Sequence, residues 1–320
     1  MKWSAALGTL FGLALAAWLV SSYGVAEIGS LLGRAGWGIV AVILFHGSQI
    51  VASALAWRAI SGTAQPQLTV VEYSVLRWIR EGVNNLLPVA QVGGEVVAVR
   101  LLRRHGQPLA AAVAGSVGDL TMEVLTQVLF TLAGLALLLG LIGSSSVSGT
   151  VLASAALALL GVLAFIAAQW FGLAGLLQRG IMALSARFGW ASLGEVVGLD
   201  DSIRALYRAP GPMIRACAYH SASWLLGGVE VCLALHLLGT TVGFAEGMVI
   251  ESLGQALKAA GFAVPGAIGV AEGGYVVVCH LFGIGPETAI ALGLIKRLRE
   301  IVLGLPALLA WQWMERRHAS

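Results

Sequence analysis

Charge is scarce in this sequence: Asp, Glu, Lys and Arg make up 11% of its 320 residues, against roughly 25% in an ordinary soluble domain. Beside a hydrophobic content of 58%, that scarcity excludes a water-soluble fold, which would expose far more apolar surface than water tolerates. Cysteine is scarcer still. Cys217, Cys232 and Cys279 stand in apolar stretches without paired spacing, which excludes a disulfide framework or a zinc knuckle and leaves them as packing residues. The net charge is only +3, and the arginines do not alternate with aromatics on a polar segment, so nucleic acid is not an expected partner. His46, His220, His236 and His280 lack metal-ligand spacing. There is no H-E-x-x-H, nucleophile elbow, phosphate loop or dinucleotide fingerprint. No metal, no cofactor and no enzymatic activity is expected, and these histidines are expected to be packed and hydrogen-bonded.

What the chain does have is apolar length. A helix needs about 17–25 apolar residues to cross roughly 30 Å of hydrocarbon, and runs of that size lie near 3–22, 36–57, 109–142, 150–172, 213–238 and 287–313. They predict an all-α integral membrane protein with six transmembrane helices. The first run, from Lys2 onward, has the flavour of a secretory signal. It is long, carries Trp18 and leads into further spans, so a retained helix is expected. Two more segments, 68–107 and 246–284, are apolar but broken by Gly, Pro, Asn and charges, and are predicted to be re-entrant helical hairpins.

Arginine placement orients the spans. Arg58, Arg77, Arg80, Arg100, Arg103 and Arg104 follow the second span and Arg179, Arg187, Arg204 and Arg208 the fourth, whereas Ser144–Gly149 and Gly239–Gly243 carry no charge. The arginine-bearing loops and both termini are therefore expected in the cytoplasm. Between the fourth and fifth spans, 173–209 mixes Leu, Ile and Trp with arginines and is predicted to be a cytoplasmic amphipathic linker. It serves either as a structural hairpin or as a surface that collects headgroups.

The broken segments resemble each other. Pro88-Val-Ala-Gln-Val-Gly-Gly-Glu95 and Pro265-Gly-Ala-Ile-Gly-Val-Ala-Glu272 share P-x-A-x-x-x-x-E at an offset of 177, which also pairs Gly106 with Gly283 and Glu123 with Glu300. The arginine orientation makes the two copies inverted, so the chain is expected to be an inverted repeat of 1–145 and 146–320. Inverted repeats with broken helices are an architecture of secondary transporters, with substrate near the bilayer midplane. Pro88 and Pro265 remove backbone donors, while Gly93, Gly94, Gly266 and Gly269 permit tight turning. Backbone freed in this way survives in a membrane only where protein or water satisfies it.

Charges inside the apolar segments need a partner or a use, because each costs about 2.5–3.5 kcal/mol at the bilayer centre on insertion scales. Glu95 and Glu272 lie at the hairpin tips, Asp119 and Glu123 in the third span, and Lys296, Arg297, Arg299 and Glu300 in the last. Lys296 with Glu300, and Arg77 with Glu81, are four apart and can pair on one helix face; Arg77 and Arg80 can equally meet a headgroup. Buried carboxylates gain proton affinity, which makes Glu95 and Glu272, with Glu123 and Glu300, the proton-coupling candidates. Arg100, Arg103 and Arg104 form a basic face for which an anionic phosphate surface is the expected neighbour. Asn84, Asn85 and Gln91 either hydrogen-bond a headgroup or cap the hairpin.

The run Glu81-Gly-Val-Asn-Asn-Leu-Leu-Pro-Val-Ala-Gln-Val-Gly-Gly-Glu95, followed by Arg100 and Arg103-Arg104, resembles the first signature of the flippase-like membrane family, also called the lysylphosphatidylglycerol synthase transmembrane region. Pro265 to Glu272 resembles its second, with Ala271 where relatives often carry a basic residue. Within that family the run is most similar to the hopanoid-biosynthesis-associated members. The resemblance spans about residues 5 to 315. It implies a lipid-handling protein of the bacterial inner membrane, acting on a hopanoid or related lipid, with lipid-biosynthesis enzymes as candidate partners. The residues at hand hold nothing similar to the synthases' soluble aminoacyl-transfer domain, so lipid aminoacylation is not expected of them. The leading expectation is a lipid transporter in which the hairpins meet near the midplane and pass a headgroup between them. Asn84, Asn85, Gln91, Arg77, Arg80, Arg297 and Arg299 would contact that headgroup, and the hairpin glutamates would carry protons. A membrane-embedded lipid-modifying enzyme and a non-transporting scaffold are the competing expectations.

Overall fold

A computed structural model describes residues 25–61, 66–87, 93–142, 210–260 and 267–317, together with 18, 21, 22 and 160. Among the described residues there are nine α-helices and no strand. They are α1 (Val25–Ala35), α2 (Gly38–Ile60), α3 (Val70–Leu86), α4 (Gly93–Arg104), α5 (Leu109–Ile142), α6 (Pro210–Leu237), α7 (Phe244–Ala260), α8 (Val270–His280) and α9 (Pro286–Arg317). Apart from 18, 21, 22 and 160, the expected spans at 3–22 and 150–172, with the linker 173–209 and the tip residues Pro88, Gln91, Pro265 and Gly266, lie outside the described residues.

Local chemistry accounts for most of the helix ends. At α3, Thr69 and Glu72 form a capping box: the Thr69 hydroxyl accepts from the Glu72 amide at 3.2 Å, and the Glu72 carboxylate accepts from the Thr69 amide at 2.7 Å, so two orphan donors are satisfied at once. α6 and α9 each open on a proline, a position where the missing N–H is no loss. The turn after α4 closes with the Gln107 amide on the Leu102 carbonyl, and the turn after α8 with the Ile284 amide on the Cys279 carbonyl. Each needs a left-handed residue, supplied by Gly106 (φ +87°) and Gly283 (φ +68°).

α1 is an element that reading for long apolar runs passes over. It is an 11-residue helix with Glu27 in its first turn, Arg34 in its last, and Ile28, Leu31 and Ala35 buried. Its charges complement the helix dipole, and its short apolar stripe has helical spacing. α2 and α5 are long and apolar enough to cross a membrane by length and composition. Leu129, Leu132, Leu137 and Leu139 of α5 are exposed, as a lipid-facing helix allows and an aqueous one does not.

The chain divides into two compact units. One comprises Met1–Gly47, Val128–Ala168 and Trp224–Val302, the other Ser48–Gln127, Gln169–Ser223 and Leu303–Ser320. In the first, α7 packs on α8, and a core including Leu235, Ile250, Leu253, Val278 and Ile290 surrounds them. In the second, α3 packs on α4 over a core that includes Trp57, Leu76, Ile79, Leu101 and Leu102. The C-terminal part of α9 joins that second unit through small residues. A Cβ on Gly82 would lie 2.8 Å from the Ala307 Cβ and 3.2 Å from the Gly304 carbonyl oxygen, which is the close backbone approach that small residues permit between membrane helices.

Candidate functional site

Each unit buries a cluster of paired charges beside its broken helix pair. In the α3–α4 unit, Arg77, Arg80 and Glu81 share one face of α3 by their i, i+3, i+4 spacing. The Arg77 guanidinium donates to both Glu123 oxygens, at 2.8 and 2.5 Å, in the bidentate fork that suits a carboxylate. It also lies 3.5 Å from Glu81 and 3.7 Å from Asp119. Arg80 engages three carboxylates at once: Nε with Glu95 at 2.6 Å, Nη1 with Asp119 at 2.5 Å and Nη2 with Glu123 at 3.0 Å. Its guanidinium carbon sits 5.5 Å from the centre of the Trp57 ring, and Tyr73 meets that ring edge-on. From α6, His220 Nε2 is 2.9 Å from Asp119 Oδ1.

Glu95 reaches this cluster from the first turn of α4, where the amide end of the helix favours an anion. The start of α4 is held by Asn84, whose side-chain oxygen accepts from the Gly94 amide at 2.8 Å, so Asn84 plays the capping part. Asn85 is half-buried on the next position of α3. Gly94 has no room for a side chain: a Cβ there would stand 2.5 Å from the Arg80 carbonyl oxygen, which is backbone. Gly94→Ala is therefore expected to lose about 1–3 kcal/mol to overpacking, read as a lowered unfolding midpoint in detergent; an unchanged midpoint would show that α3 and α4 are not held this tightly.

The α7–α8 unit has its own network. Glu230 on α6, completely buried, is hydrogen-bonded by Arg299 and lies 3.1 Å from His46 Nδ1 and 3.8 Å from Lys296. Lys296 donates to Glu251 at 2.5 Å and stands 5.6 Å from the Tyr275 ring centre. Lys258 donates to Glu300 at 2.5 Å, and Arg297 to Glu300 at 2.8 Å and to Glu272 at 3.4 Å. Glu272 also accepts from the Gly269 amide at 2.7 Å, where Gly269 holds φ at +76°.

The structure thus brings Arg77, Arg80, Glu95 and Glu123 together in one unit, and Glu272, Arg297, Arg299 and Glu300 in the other. Gln91 lies outside the described residues. One expectation is corrected. Lys296 does not take Glu300 four residues on; it reaches across to Glu251 and Glu230, while Glu300 is held by Lys258, Arg297 and Arg299. On the basic face of α4, Glu315 lies 2.7 Å from Arg100 and 2.5 Å from Arg104, and Arg103 is exposed. Sequence reasoning left Glu230, Glu251, Lys258, His46 and His220 without roles. Their charged partners lie between 42 and 184 positions away in the chain, beyond any helix-face rule.

Asp119, Glu123 and His220 bring ligand atoms within 4.8 Å of one another, the donor set of a metal site. Arg77 and Arg80 already direct guanidinium groups at the same carboxylates, and a metal cation would have to displace them. What the clusters can do chemically is exchange partners: a phosphate or hydroxyl takes the place of one carboxylate on an arginine, or a proton neutralises a carboxylate.

The profile of the lysylphosphatidylglycerol synthase transmembrane region matches residues 5–307. No curated protein and no solved structure matches the chain.

Proposed function

Since the chain belongs to the lysylphosphatidylglycerol synthase transmembrane-region family and is a membrane protein of a lipid-related family, we propose that it transports a lipid across the membrane and couples that movement to proton exchange at a hairpin glutamate. The observation that carries this reading is the pair of buried charge clusters. Replacing buried ion pairs by apolar residues of similar volume is often neutral or stabilising, by about 1–4 kcal/mol, so stability alone does not explain why a chain so poor in charge concentrates it inside. Ionisable groups within membrane segments mark substrate and proton pathways. Arginines such as Arg77, Arg80, Arg297 and Arg299 suit a phosphate or polar headgroup, and the exposed leucines of α5 suit its acyl tails. A hopanoid or related lipid is the substrate class we favour.

We propose further that the two halves are copies in an inverted repeat with six spans and two re-entrant hairpins. The 177-residue offset is supported by helix starts: α4 and α8 open at Gly93 and Val270, α5 and α9 at Leu109 and Pro286. It also pairs two left-handed glycines, Gly106 and Gly283. The hydrogen bond Ser53–Ser223 has its counterpart in Glu230–His46, each residue 177 positions from its mate with the two helices exchanged. Such a repeat is an architecture of transporters that work by alternating access.

The test is reconstitution into phospholipid vesicles carrying a headgroup label that an external reagent can quench. The native chain is expected to expose inner-leaflet label to the reagent, and Arg297→Gln to slow that exposure at least several-fold. Equal rates in protein-containing and protein-free vesicles would remove the transport reading. A change in the mass of the lipid would point instead to a lipid-modifying enzyme.

A further inference from the structure

The two clusters differ in charge balance. Around Glu272, four cations (Lys258, Lys296, Arg297 and Arg299) meet four carboxylates (Glu230, Glu251, Glu272 and Glu300). Around Glu95, two cations (Arg77 and Arg80) meet Glu81, Glu95, Asp119 and Glu123. At the repeat offset, Asp119 stands where the other half has Lys296, and Glu81 where it has Lys258. Glu81 is partly exposed at 26% and is screened by solvent. Even with Glu81 set aside, the buried Glu95 and Asp119 and the partly buried Glu123 share two guanidiniums.

The hydrogen bonds single out one of the three. Asp119 is engaged at both oxygens, by His220 and by Arg80; Glu123 is engaged at both, by Arg77 and Arg80. Glu95 is met only at Oε1, and its Oε2 is buried with no hydrogen-bond partner among the described residues. Glu272 is met at both oxygens, by Arg297 and by the Gly269 amide.

We infer that Glu95 alone among the hairpin glutamates carries the exchangeable proton, and that Glu272 stays charged as a fixed counter-ion. Counting guanidiniums and carboxylates alone, a proton on Glu95 leaves two guanidiniums facing two carboxylates, Asp119 and Glu123. Its loss leaves an uncompensated anion, which a low-dielectric interior penalises until a cation, a polar headgroup or water reaches it. Among the described residues, the groups that face Glu95 are Arg77 and Arg80 of α3, with Glu81 beyond Arg77, Asp119 and Glu123 of α5, and His220 of α6 through Asp119. α2 contributes the Trp57 ring, its Arg58 being turned to the Leu68 carbonyl, and Glu315 of α9 is taken by Arg100 and Arg104. This assignment deepens the transport reading and rests on it for its use, but the proton site itself is measured without transport.

The experiment is infrared difference spectroscopy of the purified chain in lipid nanodiscs during a pH titration. The native protein is expected to show the carbonyl band of a protonated carboxylic acid that disappears on raising the pH. Glu95→Gln, which keeps the shape and the neutral state, is expected to abolish that band, and Glu272→Gln to leave it in place. A band that survives in Glu95→Gln, or is lost in Glu272→Gln, overturns the assignment, as does a titration displaced by sodium rather than by protons. Unfolding midpoints of both variants establish that each is folded. Vesicles then separate the two readings: with the band assigned to Glu95 and no lipid movement in the native chain, transport fails while the proton site stands.

Discussion

Arg80→Gln is expected to destabilise the chain by about 3–5 kcal/mol, seen as a fall in unfolding free energy in detergent titrations. The reason is not a lost surface contact. Arg80 is buried on α3 and serves Glu95, Asp119 and Glu123 through three separate nitrogens, so its removal leaves three carboxylates with one guanidinium between them. Arg80→Lys is expected to recover little, because a compact ammonium cannot span three acceptors as a planar fork does. Adding Glu95→Gln to Arg80→Gln removes one of the stranded charges, and the double variant is expected to be more stable than the sum of the single losses. A loss below about 1 kcal/mol in Arg80→Gln, the range of exposed ion pairs, would mean that water reaches the cluster freely.

Glu230→Leu is expected to produce the second-largest loss, again about 3–5 kcal/mol, in the α7–α8 unit. Glu230 is fully buried, and Arg299, Lys296 and His46 converge on it. Leucine fills the space and strands the cations. Glu230→Gln keeps hydrogen-bond acceptance but not the charge, and is expected to fall between the native chain and Glu230→Leu. The combination Glu230→Leu with Arg299→Met, which removes a charge of each sign, should restore part of the loss. If it does not, the stabilisation comes from packing of the glutamate stem and not from its charge. Because this cluster is balanced, neither variant is expected to abolish the infrared band assigned to Glu95.

The broken helix pairs are legible in the sequence because their cause is local. Proline and glycine interrupt an apolar run at 88–94 and again at 265–269, and the structure has α3 with α4 and α7 with α8 on either side of those interruptions. α2, α5, α6 and α9 fall within a few residues of their apolar runs for the same reason. α1 escaped because an 11-residue amphipathic helix signals by spacing, with three buried positions, and not by length. For the site, the sequence indicates which charges are costly but not whom they meet. Arg77 with Glu81 follows from four-residue spacing. Lys296 with Glu251, or His220 with Asp119 101 positions away, depends on tertiary folding that no local pattern encodes. The pairing at Glu315 has the same origin: the helix-face pattern of Arg100, Arg103 and Arg104 describes a basic face without saying that an acidic residue from the end of α9 will pair with two of them.

Where Gly82 meets Gly304, no side chain stands between two main chains. Such a seam, with the Leu86 side chain packed against Gly304 beside it, is too tight to admit an acyl tail. Any motion that displaces α3, with its two cluster arginines, must drag the final turns of α9 along as one piece, and under the proposed transport an opening for a lipid would form along some other edge of α3.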